Sequence, residues 1–261
     1  MVVSQIPKAI GFMYALVMIG VIAYLWYSGR WRQKLGWLLL VISAFLGFLI
    51  FSPVAPWQFQ QLVLRDVQGL GGPLIVGVIG LSVVLVLTFV FGRIFCGYLC
   101  PVGTVQEIAS HAPVPKVNPR QKKVFMLIRA GFFIVFLLMA FLFSASFLAL
   151  FGIRDFFYLV FTAGTVVFIG MLLLSMTFYR PFCRLICPYA VLLSLGAWKG
   201  LFKLQRTDAC IECKKCEKAC TADEAKREDG KAECYLCGRC MDICPAAGAL
   251  KYTRVDIGAK K

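Results

Sequence analysis

The sequence predicts an all-α integral membrane domain of about five transmembrane helices with an internal parallel two-fold repeat, followed by a small cysteine-rich domain. Three observations carry this fold class. The 261 residues are 60% hydrophobic and 16% charged, whereas a soluble domain has about a quarter of its residues charged. The apolar residues fall in runs that match the need for about 20 residues to cross a hydrocarbon core. All 12 cysteines fall into patterned groups: "FCGYLCP" (Phe95–Pro101), "FCRLICP" (Phe182–Pro188) and two longer runs in a polar tail.

Taken in order, the expected spans are Ile10–Tyr27, Gly36–Pro53, Pro73–Phe91, Val124–Leu150 and Phe156–Phe178. The N-terminus leads straight into the first and lacks a small-residue cleavage site, so it reads as a retained helix. Basic residues collect in alternate loops: Arg30, Arg32 and Lys34; then Arg93, Lys116, Arg120, Lys122 and Lys123; then Arg180, Arg184, Lys199, Lys203 and Arg206. By the positive-inside rule this places the N-terminus outside and the tail in the cytoplasm, with the bilayer as the chain's first partner. Trp26, Tyr27, Trp31 and Trp37 sit at one inner boundary as an aromatic belt would. The formal charge of +15 is thereby assigned to membrane anchoring and not to nucleic acid. "PWQFQQLVLRDVQGLGG" reads as a helix on the outer surface; "YAVLLSLGAWKGLFKL" reads as an interfacial helix on the inner one, and "VGTVQEIASHAPVP" as a shorter one.

Spans two and three repeat as spans four and five. Arg65-Asp66 precedes one and Arg154-Asp155 the other; the first cysteine follows that arginine by 31 residues in one copy and 29 in the other. Arg93 and Arg180 each stand three residues before it. Both copies run the same way, which implies a pseudo-two-fold axis along the membrane normal. Such an axis brings Cys96, Cys100, Cys183 and Cys187 together near the inner face. A third iron–sulfur cluster, [4Fe–4S] or [2Fe–2S], fits four such thiols. A dithiol or disulfide, copper or zinc, and plain packing are the alternatives, and a reducing cytoplasm opposes a permanent bridge.

The tail carries "CIECKKCEKAC" (Cys210–Cys220) and "CYLCGRCMDICP" (Cys234–Pro245), both C-x2-C-x2-C-x3-C. This spacing holds [4Fe–4S] clusters, and in tandem the fourth cysteine of each run ligates the other cluster. One cluster thus takes Cys210, Cys213, Cys216 and Cys244, and the other Cys234, Cys237, Cys240 and Cys220. Zinc is the competing reading of C-x2-C pairs. The composition changes near Arg206, dividing a membrane domain, 1–205, from a cytoplasmic dicluster domain, 206–261.

Residues 210–245 resemble a bacterial-type dicluster ferredoxin. Thr221 follows Cys220 where the family has proline, and 13 residues separate the runs. The family's small sheet and a mostly helical version are both compatible with that length. From Gly36 to Pro245 the arrangement resembles the membrane-bound 4Fe–4S proteins of the NapH type, quinol-dehydrogenase membrane subunits of nitrate reductase systems. The CxxxCP motifs are shared with nitrous-oxide reductase regulatory and cytochrome-oxidase accessory ferredoxins. The resemblance implies membrane electron transfer, with quinol or a membrane cofactor on one side and redox partner subunits on the other. The alternative is an assembly factor that reduces another enzyme's metal centre; redox sensing is a weaker third.

No nucleophile–base constellation or GxGxxG fingerprint is present. Haem is not expected, because His111 is the single histidine. His111 reads either as a surface residue or as a proton acceptor beside a quinol. The Arg–Asp pairs read as pins for helix ends, or as part of a quinone or docking site. Lys214, Lys215, Lys218, Lys226, Arg227 and Arg239 form a solvated basic face or a landing site for an acidic partner.

Overall fold

The computed structural model describes residues 5–51, 54–117 and 121–255, with side chains from residue 8 onward. The helices are α1 Gln5–Tyr27, α2 Gln33–Ile50, α3 Ala55–Val63, α4 Val67–Leu70, α5 Leu74–Phe91, α6 Pro101–Ala109, α7 Lys122–Phe143, α8 Ile153–Phe157, α9 Ala163–Thr177, α10 Pro188–Trp198, α11 Lys215–Ala219 and α12 Arg239–Asp242. Two strands, β1 Phe202–Arg206 and β2 Leu250–Arg254, pair antiparallel with Leu204 opposite Tyr252.

Among the described residues, α1, α2, α5 and α7 are long and apolar enough to cross a membrane. The fifth expected span is shorter: α8 and α9 share it, and α9 has 15 residues, or roughly 22 Å. The fourth stops at Phe143 and continues as a 3-10 turn, Phe147–Phe151. The expected end of the second at Pro53, and Arg120 of the basic loop, lie outside the described residues.

The larger departure concerns the two segments expected to lie on the inner surface. After α5 the chain turns back into the bundle. Pro101, at the start of α6, lies against Gly47 of α2, where an added Cβ would meet the proline ring. Gly47 is 14 residues beyond Gln33, the helix start, a rise of roughly 21 Å. At the other end of α6, His111 stacks edge-on against Trp37 at 4.5 Å. The second copy repeats the path: the Tyr189 hydroxyl donates to the Leu81 carbonyl in mid-α5 at 2.6 Å, while Leu201 N–H reaches Phe89 O at 2.9 Å. Helices α6 and α10 are therefore re-entrant half helices inside the bundle. Leu193 and Ser194 of α10, 0% and 4% exposed, confirm its burial. Both helices carry a face rich in small or apolar side chains, which a bundle interior accepts as readily as an interface does.

Helix α3 is likewise packed inward, with Pro56, Trp57, Gln60 and Gln61 buried. The aspartates of the two Arg–Asp pairs serve local ends: Asp66 caps α4, accepting from Gln68 and Gly69 N–H at 3.0 Å, and Asp155 accepts from Thr162 Oγ1 at 2.6 Å.

The tail docks where α1 and α5 end and α2 and α7 begin. Tyr252 Oη donates to Phe91 O at 2.7 Å, Gln33 Nε2 donates to Asp242 at 2.5 Å, and Lys122 pairs with Asp229. The two-stranded sheet settles the question raised by the short inter-run segment: its strands flank both cysteine runs instead of inserting between them.

Candidate functional site

Each CxxxCP motif folds as one wide helical turn followed by a half helix. Phe95–Leu99 and Phe182–Ile186 are π-helical turns, closed by Cys100 N–H to Phe95 O and Cys187 N–H to Phe182 O, both 2.9 Å. Such turns are rare and cluster at functional positions. Cys100 and Cys187 are the N-caps of α6 and α10, with proline next at the first helical position. Proline is favoured there because its missing N–H has no helical partner to lose. The arrangement also aims the positive end of each half helix at its cysteine, which favours an anionic sulfur.

The four cysteines line one cavity with Arg93, Tyr189, Phe95, Phe182, Ala55 and Pro56. All four are buried, between 6% and 9% exposed. The re-entrant path carries them into the bundle, where Ala55 and Pro56 of α3 line the same cavity. Gln106 holds the second copy in place, accepting from Phe182 N–H at 3.0 Å and donating to Cys183 Sγ at 3.5 Å.

Two buried ionic sets flank the cavity, and each crosses the repeat. Arg180 of the second copy donates to Glu107 of the first at 2.8 Å, and also to the Cys96 and Gly97 carbonyls at 2.5 and 2.8 Å. Glu107 takes Arg239 from the tail on its other oxygen at 2.6 Å. Arg93 of the first copy donates to Ser194 of the second at 3.2 Å and to Glu233 of the tail at 2.8 Å. Glu233 also receives Arg129 of α7 at 2.6 Å and the Ser194 hydroxyl at 2.7 Å. Burial alone would raise the Glu233 carboxyl, but Arg93 and Arg129 outweigh it and hold it down to about 2.

Four guanidiniums thus face two carboxylates. Arg93 is fully buried, and its Nε and Nη2 have no hydrogen-bond partner. Two positive charges are left over, and buried charge without a counter-charge is costly, so the cavity calls for an anion. An iron–sulfur cluster in four thiolates is such an anion, and the donor set suits it. Among the described residues no three His, Cys, Asp or Glu side chains close on a point as they would around a single ion.

The tail cysteines separate into two surroundings. Cys220, Cys234, Cys237 and Cys240 line a second cavity with Tyr179, Tyr235 and Arg239. Burial pushes the Cys234 thiol up to about 12, so a thiolate there needs a cation. Of the other four, Cys213 is exposed, Cys216 buried, and Cys210 and Cys244 half-buried. The turn that carries Cys96 touches the loop that carries Cys234. A Cβ on Gly97 would collide with the Tyr235 carbonyl, and Tyr98 Oη donates to Leu236 O at 2.9 Å. The Tyr235 ring lies between Arg93 and Arg180, 4.6 and 4.7 Å from their guanidinium carbons.

Sequence reasoning found the cysteines and the repeated arginines but missed Gln106, Glu107, Arg129, Ser194, Glu233 and Tyr235. Arg129 had a signal, since a charge inside an apolar span is by default functional. Glu107 and Ser194 occupy the same repeat position, seven residues after Cys100 and Cys187. Nothing local marks Glu233 or Tyr235. His111 Nδ1 donates to the Glu107 backbone carbonyl at 2.8 Å, and the ring shares a cleft with Gln33, Trp37, Glu107 and Arg239.

A family described as "4Fe-4S binding domain" matches twice, at residues 73–120 and 160–207. The two matches coincide with the CxxxCP copies and leave out most of the tail. An uncharacterized protein of Methanocaldococcus jannaschii is 29% identical over 63% of this chain and 74% of its own length. The putative electron transport protein YccM of Escherichia coli is 28% identical over 68% of this chain and 56% of its own. The ferredoxin-type protein NapH of Haemophilus influenzae is 24% identical over 88% of this chain and 92% of its own. No solved structure matches. The two family matches and the likeness to NapH bear out the resemblance to the NapH-type membrane-bound 4Fe–4S ferredoxin proteins.

Proposed function

We propose that the chain is a membrane-bound iron–sulfur subunit that passes electrons between the quinone pool, or a membrane cofactor, and a redox partner enzyme. In this reading Cys210, Cys213, Cys216 and Cys244 hold one [4Fe–4S] cluster, and Cys234, Cys237, Cys240 and Cys220 hold a second. Cys96, Cys100, Cys183 and Cys187 hold a third. Bound clusters supply one-electron chemistry without bond rearrangement. The observation that carries the proposal is the cavity shared by Cys96, Cys100, Cys183 and Cys187, with Arg93, whose Nε and Nη2 have no hydrogen-bond partner, on its wall.

The chain's own residues then have defined tasks. Apolar Phe95, Phe182 and Leu193 keep water from the membrane cysteines. Arg93 and Arg180 balance negative charge there. The cleft beside Gly97 and Cys237 suits a quinol headgroup, with His111 as the proton acceptor. Residues 1–205 act as the membrane domain and 206–261 as the cytoplasmic dicluster domain, with β1 joining them. The basic loops orient the tail inward, where a partner subunit would meet the exposed Cys213 end.

Iron and sulfide counting tests the reading. Fully loaded protein should hold about twelve irons per chain, four for each cubane. About eight, unchanged by removing Cys96 and Cys183, would sink the third cluster.

A further inference from the structure

The repeat has a defect, and the tail fills it. Position seven after the second motif cysteine is Glu107 in the first copy and Ser194 in the second. In each copy this residue receives the other copy's arginine: Arg180 on Glu107 at 2.8 Å, Arg93 on Ser194 at 3.2 Å. Serine has no charge to give. The carboxylate that completes Arg93 comes instead from Glu233, bonded at once to Arg93, Ser194 and Arg129. Glu233 directly precedes Cys234, and Tyr235 and Leu236 of the same loop rest on Gly97 and Tyr98.

We propose that Glu233 is a positioning residue: it replaces, from the tail, the carboxylate that the second repeat lacks, and so locks the loop carrying Cys234 and Cys237 onto the turn carrying Cys96. The pseudo-symmetric site is complete only when the tail is seated. The covalent path from Cys96 through Gly97 then meets the path from Cys234 through Tyr235 at one van der Waals contact. Gly97 is the position that allows it, while Arg184, its equivalent in the second copy, reaches out to Thr221 O at 3.1 Å. The lock stands on the chain's own ion pairs; only its electronic consequence rests on the cluster reading above.

The test moves the carboxylate. In Glu233→Gln the buried guanidiniums lose their counter-charge. Limited proteolysis of the tail in detergent should quicken roughly tenfold or more, as expected when a buried pair loses one partner. In the double variant Ser194→Glu/Glu233→Ser the charge returns to Arg93 from within the bundle. Thermal stability of the membrane domain should then recover while the tail stays protease-sensitive. A protease-resistant tail in Glu233→Gln, or full restoration of resistance by the double variant, would overturn the lock. Gly97→Ala serves as a second probe that leaves the ion pairs intact. It should loosen the tail alone, and in iron-loaded protein it should weaken the magnetic interaction between the centres seen by electron paramagnetic resonance. An unchanged tail in Gly97→Ala would count against the seat. A low iron count with an intact tail lock would fail the cluster reading and leave the lock standing.

Discussion

The two CxxxCP copies share a backbone and differ in what surrounds it. Both form a π-turn, an N-capping cysteine and a half helix, and both place a buried arginine three residues ahead of the first cysteine. The first copy carries its own carboxylate, Glu107, and a glycine, Gly97, inside the motif. The second carries Ser194 and Arg184 at those positions. The difference teaches that duplication set the cavity, and that the tail then made its two halves unequal. The bundle lines the cavity, and the loop before Cys234 reaches its wall through the Glu233–Arg93 pair.

The widest break in the comparison comes from the shared element. Serine at both Cys96 and Cys183 should take the iron content from about twelve to about eight per chain, one cubane lost. Loss from all three centres would instead mean that the copies and the tail fold as one unit. Next is the carboxylate of the first copy. Glu107→Ala strands Arg180 and Arg239 and should cost about 3 to 5 kcal/mol, read as a lower thermal midpoint in detergent. Ser194→Ala removes a hydroxyl whose neighbours keep Glu233, so about 1 kcal/mol is expected. Equal effects would show that Glu233 carries no special share.

Acid probes the same asymmetry. The Glu233 carboxyl lies at about 2 in the folded chain against an ordinary value of 4.5. A depressed carboxyl stabilises fully above its unfolded value and loses that contribution as pH falls through its folded one. Tail seating should therefore hold above about pH 4.5 and weaken progressively toward pH 2, followed by the proteolysis rate. A tail released near neutrality would sink this assignment. The smallest effect belongs to the exposed Arg227–Glu212 pair, 3.9 Å apart. Its removal should leave iron content and stability unchanged, because solvent screens such pairs.

Much of this was legible in the residues themselves. Apolar run length set the spans, since backbone in lipid must satisfy itself within helices. Cysteine spacing marked the tail and the two half-sites, because a wrapped cluster demands fixed short intervals. Sequence period also revealed the duplication and its arginines. What only the tertiary structure decided is depth and partnership. Whether "VGTVQEIASH" and "YAVLLSLGAW" lie on a membrane or dive into a bundle is not encoded in their hydrophobicity, because both environments bury an apolar face. Gly47, small enough to admit Pro101, and Leu81, offering its carbonyl to Tyr189, decide it from distant positions. Glu233 shows the same limit. A lone glutamate beside a cysteine run reads as surface charge until Arg93 and Arg129, 140 and 104 residues away, arrive to pair with it.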